Sequence, residues 1–361
     1  MKPGPRKYSV IQFQGKSDYL SNFYATGIQC LGRQFQSSDQ AYQYLKAFLF
    51  ENDEAANEIA RESDAALCKK LSRKIVFNHF KWQCVKVVDM EGIVMRKFSN
   101  AELKRRLLET ESAILAEATK DLFQAVGLSR SELSRPVFPG QNHLGSILMK
   151  LRIYFKGTFK FPPILLIADS QGRTLPWHKS IRKIVVPGAT IQMLLKIARV
   201  ASHQGITHCV ILGGTNNLQK DRVMMASDGG FKPRDIAIIL KQYKVGISRF
   251  LEKNKTVTLN MIDILPRFND MHNVGMGKRS RIQSTLNAVN RKIRSFCVEL
   301  SNAGNKISHF PYYSLLNDVK YFRANSKLSS GVDLHINSDG GAALVDSDLK
   351  NLQHLQHLQQ I

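Results

Sequence analysis

From Tyr8 to Phe13 apolar and polar residues alternate with the period of two that a half-buried strand requires. Gly27 to Phe35, broken at Leu31-Gly32, reads as a hairpin. The pattern changes after Gln36. Ser37 stands where a helix N-cap belongs, Gln40 follows three positions on in the capping-box slot, and Ala41 to Phe50 contain no breaker. Asp39 then falls in the first turn, where the helix dipole favours a carboxylate. Gln43 and Lys46, at i+4 and i+7, share its face. Periodicity alone leaves that polar stripe open, either as a solvated face or as the floor of a pocket. Apolar spacings of three and four predict further helices over 53–62, 64–70, 81–95 and 102–123. The first part of the chain therefore reads as mostly helical α+β with a small sheet.

Lys156-Gly-Thr-Phe-Lys-Phe-Pro-Pro163 carries a glycine, a double proline and little periodicity, and reads as a linker. Beyond it the pattern is strand–helix alternation. Apolar runs at Ile164–Ala168, Ile184–Val186, His208–Leu212, Thr256–Leu265 and Lys306–Phe310 alternate with helical stretches at 190–204, 233–253 and 280–303. That order predicts a three-layer α/β unit with a parallel, doubly wound sheet, whose ligands gather beyond the carboxyl ends of the strands. Asp169-Ser170, Gly188 and Gly214-x-Asn216 fall there. Residues 221–232 and 269–279 read as loops beside that edge that could act as lids. The expected division is 1–155, a linker at 156–163, a second domain over 164–346, and a helical tail at 347–361 with a Leu-Gln-His repeat.

Composition narrows the class. The 361 residues are enough for two cores. No apolar run approaches membrane-spanning length, and no signal peptide follows the basic start, so an intracellular protein, cytoplasmic or nuclear, is expected. Five scattered cysteines without Cys-x-x-Cys spacing fit reduced thiols rather than a disulfide framework or a zinc site. No metal and no cofactor are expected. The net charge of +23 lies mainly after residue 155 and favours anionic partners, nucleotides or weakly bound polyanions. No named nucleic-acid motif accompanies it.

Particular motifs sharpen this. Leu20-Ser-Asn-Phe-Tyr24, Ser38-Asp-Gln-Ala-Tyr-Gln43 and Lys46-Ala47 lie in order with Lys69-Lys70, Trp82, Lys97-Phe98 and Glu117-Ala118. Gly140-Gln-Asn-His-Leu-Gly145 and Leu148-Met-Lys-Leu-Arg152 close the series. Over about residues 8–155 the chain resembles the NADAR (YbiA-like) family. The resemblance implies N-glycosidase chemistry on a phosphorylated riboside, either ADP-ribosylated guanine or an intermediate of the riboflavin pathway. It assigns Asp39, Lys46 and Asp121 catalytic roles, and substrate contacts to Asn22, Phe23, Gln43, Trp82 and Asn142. The family's Asp-x-x-Trp-Gly-x-Gly stands here as Asp121-Leu-Phe-Gln-Ala-Val-Gly127.

A second resemblance covers about residues 163–345. Asp169-Ser170, Gly188, Gly214-x-Asn216 and Gly331-Val-Asp-Leu-His-Ile-Asn337 are similar to the ordered blocks of SGNH (GDSL-like) hydrolases. It implies a flavodoxin-like fold and an esterase in which Ser170 is the nucleophile, Gly188 and Asn216 supply oxyanion donors, and His335 with Asp333 acts as base. The leading expectation is an N-glycosidase carrying this second domain. The alternatives are a Ser170 esterase or deacylase whose first domain binds ADP-ribose-type ligands, and a non-catalytic binder. The implied partner is a nucleotide, an ADP-ribose-type small molecule or ADP-ribosylated nucleic acid.

Overall fold

The computed structural model describes residues 9–132, 138–173, 175, 180–201, 205–217, 233–265, 276–311, 322–324 and 332–336. At 233–235, 276–283, 322–324 and 332–336 it describes the backbone alone. The chain forms two compact units, Met1–Phe161 with Val200–Gln204, and Pro162–Arg199 with Gly205–Ile361.

The first unit begins with strand β1 (Val10–Phe13) and a hairpin of β2 (Ala25–Cys30) and β3 (Arg33–Ser37). Leu31 and Gly32 both have positive φ, the conformation a tight hairpin turn demands, and this is why the break falls there. Helix α1 (Ser38–Leu49) starts where the capping pattern places it: the Ser37 hydroxyl accepts from the Gln40 backbone amide at 3.1 Å. The Gln40 side-chain oxygen reaches back to the amide of Gln36 at 2.6 Å, one residue earlier than a standard capping box. Every residue from Ser38 to Leu45 is buried, so the Asp39–Gln43 stripe is interior and not a solvated face.

Helices α2 (Asp53–Arg61), α3 (Ala65–Ser72) and α4 (His79–Lys97) follow with Asn52, Asp64 and Asn78 as N-caps. The single helix expected over 102–123 is corrected. Helix α5 (Ala101–Leu108) ends early, Glu111 turns the chain at φ 50°, and Ile114–Glu117 forms β4, parallel to β1 with Phe13 opposite Glu117. An apolar run of that length satisfies either period, and the partner strand decides.

Helix α6 (His143–Phe155) closes the unit against β4. Its approach depends on Gly145, where a Cβ would collide with the Leu115 carbonyl oxygen and the Asn142 side chain. Gly145→Ala gains about 1 kcal/mol of helix propensity, but overpacking against backbone costs about 1–3 kcal/mol. A lowered melting temperature by calorimetry is the expected outcome; an unchanged or raised one contradicts this packing.

The second unit has a five-stranded, all-parallel sheet of β5 (Ile164–Ala168), β6 (Ile181–Val185), β7 (His208–Leu212), β8 (Thr258–Ile262) and β9 (Ile307–Phe310), in the order β6-β5-β7-β8-β9. β5 and β7 are buried throughout, as a sheet covered on both faces requires. Helices α7 (Ile191–Val200), α8 (Pro233–Lys253) and α9 (Met276–Asn302) fill the crossovers. The start of α9 takes over the end of the loop expected at 269–279. Strands β10 (Phe322–Ala324) and β11 (Val332–Ile336) pair antiparallel. Residues 221–232 and the tail at 347–361 lie outside the described residues. Among the described residues no helix is long and apolar enough to cross a membrane, and none of the five cysteines forms a disulfide.

Candidate functional site

A cavity of about 630 Å³ opens in the first unit beside the carboxyl end of β4. Its wall includes the loop after β1, Phe23, and Lys69 from α3. Glu117, Asp121, Gln124 and Arg130 complete it. Glu117 is the last residue of β4, and its backbone is fixed from several sides. Its amide donates to the Asn142 side-chain oxygen at 3.2 Å, and its own carbonyl accepts from the amides of Thr119 and Val126, each at 3.0 Å. Its carboxylate is buried, and Oε2 has no hydrogen-bond partner. Burial first, then the Asp121 charge, push this acid up to about 7 against the pull of Lys69.

Asp39 stands behind that wall. It is fully buried on α1, its amide donates to the Asn22 backbone carbonyl at 2.9 Å, and its Oδ1 accepts from the Gln43 side-chain amide at 3.2 Å. Its Oδ2 is unpartnered, as is Oδ1 of buried Asn22. Burial raises Asp39 to about 6, opposed by the charge of Lys69. Asp121 is partly open to the cavity. Its Oδ1 accepts from the amides of Phe123 and Gln124, at 2.9 and 2.8 Å, and Oδ2 lies 3.8 Å from the Lys69 ammonium. Lys69 also sits 6.0 Å from the centre of the Phe23 ring.

Another ammonium lies deeper. Lys97 is buried at the end of α4 and donates to the Ser21 carbonyl at 2.6 Å. Burial lowers its pKa to about 7, with Asp18 and Glu117 opposing.

Three residues expected at the site are placed elsewhere. Lys46 donates to the Ser72 carbonyl at 3.2 Å and lies 3.8 Å from the Phe77 ring centre, outside the cavity wall. Trp82 belongs to an aromatic cluster with Tyr42, Phe50 and Phe77. Asn142, held at φ 49°, uses its side chain to tie α6 to β4 through Leu115 and Glu117. It therefore aims Glu117 without lining the cavity. Phe23 and Asp121 do line it, and Asn22 and Gln43 touch Asp39 behind it. Glu117, Lys69 and Lys97 were not among the expected site residues. For Glu117 the available signal was an acid closing the apolar run Ile114-Leu115-Ala116.

In the second unit, Asp169 and Ser170 follow β5 and Asn216 follows β7, at the carboxyl edge. The Asn216 side-chain amide donates to Asp169 Oδ2 at 3.2 Å and to the Ala189 carbonyl at 2.9 Å, so the Ser170, Gly188 and Asn216 segments meet. Asp169 is buried and raised to about 7. Asp333 and His335 lie on β11, which runs beside the Ser170–Arg173 turn; their side chains are outside the described residues. Among the described residues no cluster of three His, Cys, Asp or Glu side chains could hold a metal.

A compact α/β unit with acids and ammonium groups around one cavity defines the class, and comparison with known proteins places it. Residues 11–156 match the family model described as NADAR domain. Over 130 residues the chain is 32% identical to the N-glycosidase R617 of Acanthamoeba polyphaga mimivirus, covering 34% of this chain and 76% of that protein. The chain belongs to the NADAR family. The E. coli protein YbiA, solved by NMR, is 28% identical over 42% of this chain and 88% of its own, with a TM-score of 0.36. A provisionally assigned platelet activating factor from Streptococcus pneumonia is 18% identical over 55% of this chain and 87% of its own, with a TM-score of 0.40. At those scores neither structural likeness carries an argument.

Proposed function

We propose that the first unit hydrolyses the N-glycosidic bond of a phosphorylated riboside, of the ADP-ribosylated guanine or riboflavin-intermediate type. The observation that carries this reading is Glu117: a cavity-wall acid with a free Oε2, raised to about 7. The N-glycosidase named among its relatives supports the same chemistry. Lys69 and Arg130 supply positive charge for the phosphate. As the bond between the anomeric carbon and the base nitrogen breaks, its electron pair goes to the base, and protonated Glu117 gives that nitrogen its proton. The ribose becomes oxocarbenium-like, and the Asp121 carboxylate offsets its charge. Water then adds to the anomeric carbon and returns its proton to Glu117. Burial first, then the charge of Asp121, hold Glu117 in its protonated form, with a smaller contribution from Asp39. The test is chromatographic detection of guanosine released from an ADP-ribosylated guanosine. Release of guanosine, with ADP-ribose as co-product, is expected; no release of guanosine from this substrate and no release of base and ribose phosphate from a phosphoribosylated pyrimidinone sets the reading aside.

A second reading belongs to the other unit, an ester or acyl hydrolase run by Ser170. The meeting of the Ser170, Gly188 and Asn216 segments at one sheet edge, with the His335 strand beside the Ser170 turn, favours it. The doubly wound order places the ligand crevice at the same edge. A fluorophosphonate probe should label wild-type protein and not Ser170→Ala; an unlabelled wild type removes it.

A further inference from the structure

In the order β6-β5-β7-β8-β9 the crossovers through α7, α8 and α9 all advance in the same direction, so right-handed connections put the three helices on one face of the sheet. There α8 and α9 pack side by side, and the Lys244 ammonium lies 5.0 Å from the centre of the Phe296 ring across the seam. Each helix turns its apolar stripe inward: Tyr243, Ile247 and Phe250 of α8, and Leu286, Val289 and Ile293 of α9, are buried. Outward stand Lys241, Lys244 and Arg249 of one helix and Arg291 and Lys292 of the other, all exposed. Among the described residues no carboxylate forms an ion pair with any of these, whereas Arg294 beside them lies 3.5 Å from buried Asp263. The described carboxylates of the two helices, Glu252 and Glu299, fall in their last turns.

A face of one sign without its own counter-ions attracts polyanions, and its composition selects among them. A membrane surface would need a continuous apolar face with Trp, Phe or Leu outward, whereas the exposed apolar residues of these helices are the scattered Ile238, Val245 and Val298. Protein interfaces are depleted in lysine, which supplies most of the cations here. Phosphate accepts lysine and arginine alike, and the partly exposed Phe296 ring among them offers a base a surface on which to stack. We propose that the outer face of α8 and α9 docks a single-stranded nucleic acid through its phosphate backbone. This surface is independent of both hydrolase sites, since neither Glu117 nor Ser170 belongs to it.

The experiment measures binding of a labelled single-stranded oligothymidylate to the full chain by fluorescence anisotropy over a salt series. With one phosphate at each exposed cation, log Kobs should fall against log salt with a slope of about −3.5, at about −0.7 per phosphate. Lys241→Gln/Lys244→Gln should flatten that slope by about 1.4. Lys160→Gln/Lys255→Gln removes as much exposed charge outside both helices and should leave the slope as it is. All of these lysines are exposed, so their replacement keeps the core intact. Phe296→Leu should weaken binding about 5–150-fold at an unchanged slope, the range for one stacked base. Absence of binding at low salt, or equal flattening by the two lysine pairs, overturns the inference. So does tighter binding to phosphatidylserine vesicles or to polyglutamate than to the oligonucleotide, and so does a Phe296→Leu protein that binds as wild type.

Discussion

Glu117→Gln should lower the rate of base release by about 10²–10⁴-fold, the usual contribution of a positioned general acid. The change keeps the shape of the side chain. The Asn142 bond to the residue 117 amide and the parallel pairing with β1 use only the backbone of that residue, so the strand should survive. What disappears is the proton. The wild-type kcat/KM should therefore fall as pH rises through about 7, where Glu117 loses it, and the Glu117→Gln protein should lack that limb. Lys46→Met serves as the control, because its ammonium bonds Ser72, lies over Phe77 and does not line the Glu117 cavity. It should leave kcat/KM close to wild type. If Lys46→Met removes activity and Glu117→Gln does not, the roles assigned here are reversed.

The same titrations bear on stability. Asp39, Glu117 and Asp89 have folded pKa values raised to about 6, about 7 and about 8, against about 4 for an ordinary carboxylate. Each contribution is fully present below about pH 4 and is lost as pH rises through the raised value, because the unfolded chain gives up its proton first. Denaturation midpoints should accordingly decline between about pH 5 and 7 in wild type, below the point where Lys97, lowered to about 7, begins to oppose the trend, and by less in Glu117→Gln.

The second large effect is expected from Lys69→Gln. Lys69 is the cation that opposes the raising of both Asp39 and Glu117, and it faces Asp121 at 3.8 Å. Without it both acids hold their protons to higher pH, so the alkaline limb of the rate profile should move above its wild-type position at about 7. The phosphate of the substrate also loses a charged partner. One such hydrogen bond contributes about 1.5–3 kcal/mol, which corresponds to a KM raised by about 10–100-fold. A variant with the KM raised and the limb unmoved would assign Lys69 to phosphate alone. A limb that moves with KM unchanged would place the phosphate elsewhere.

How much of this was legible in advance follows from the range of the interactions. Helix α1 was, because its signals are local: Ser37 caps Gln40 within one turn. The β2–β3 hairpin was, because Leu31-Gly32 carries its own turn chemistry. The doubly wound sheet was, because buried parallel strands print unbroken apolar runs. β4 was not, since its partner β1 lies far earlier in the chain, at Val10–Phe13, and a short run of apolar residues ending in an acid satisfies both periods. With β4 hidden inside an expected helix, Glu117 could not be placed at a strand end facing a cavity.

Lys46 and Lys69 show the same limit. Both follow Asp39 on helices, and only the docking of α3 against α1 puts Lys69 beside Asp121 while Lys46 turns to Ser72. Trp82 reads equally well as a stacking platform or as core, and its three ring neighbours make it core. The left-handed Asn142 is a local oddity whose purpose lies in β4, beyond the reach of a local pattern.

The most direct measurement is a crystal structure of the full chain soaked with ADP-ribose. The account predicts the distal ribose against Glu117 and Asp121, and phosphate beside Lys69 and Arg130. Ligand found only at the carboxyl edge of the five-stranded sheet, with the Glu117 cavity empty, would contradict it.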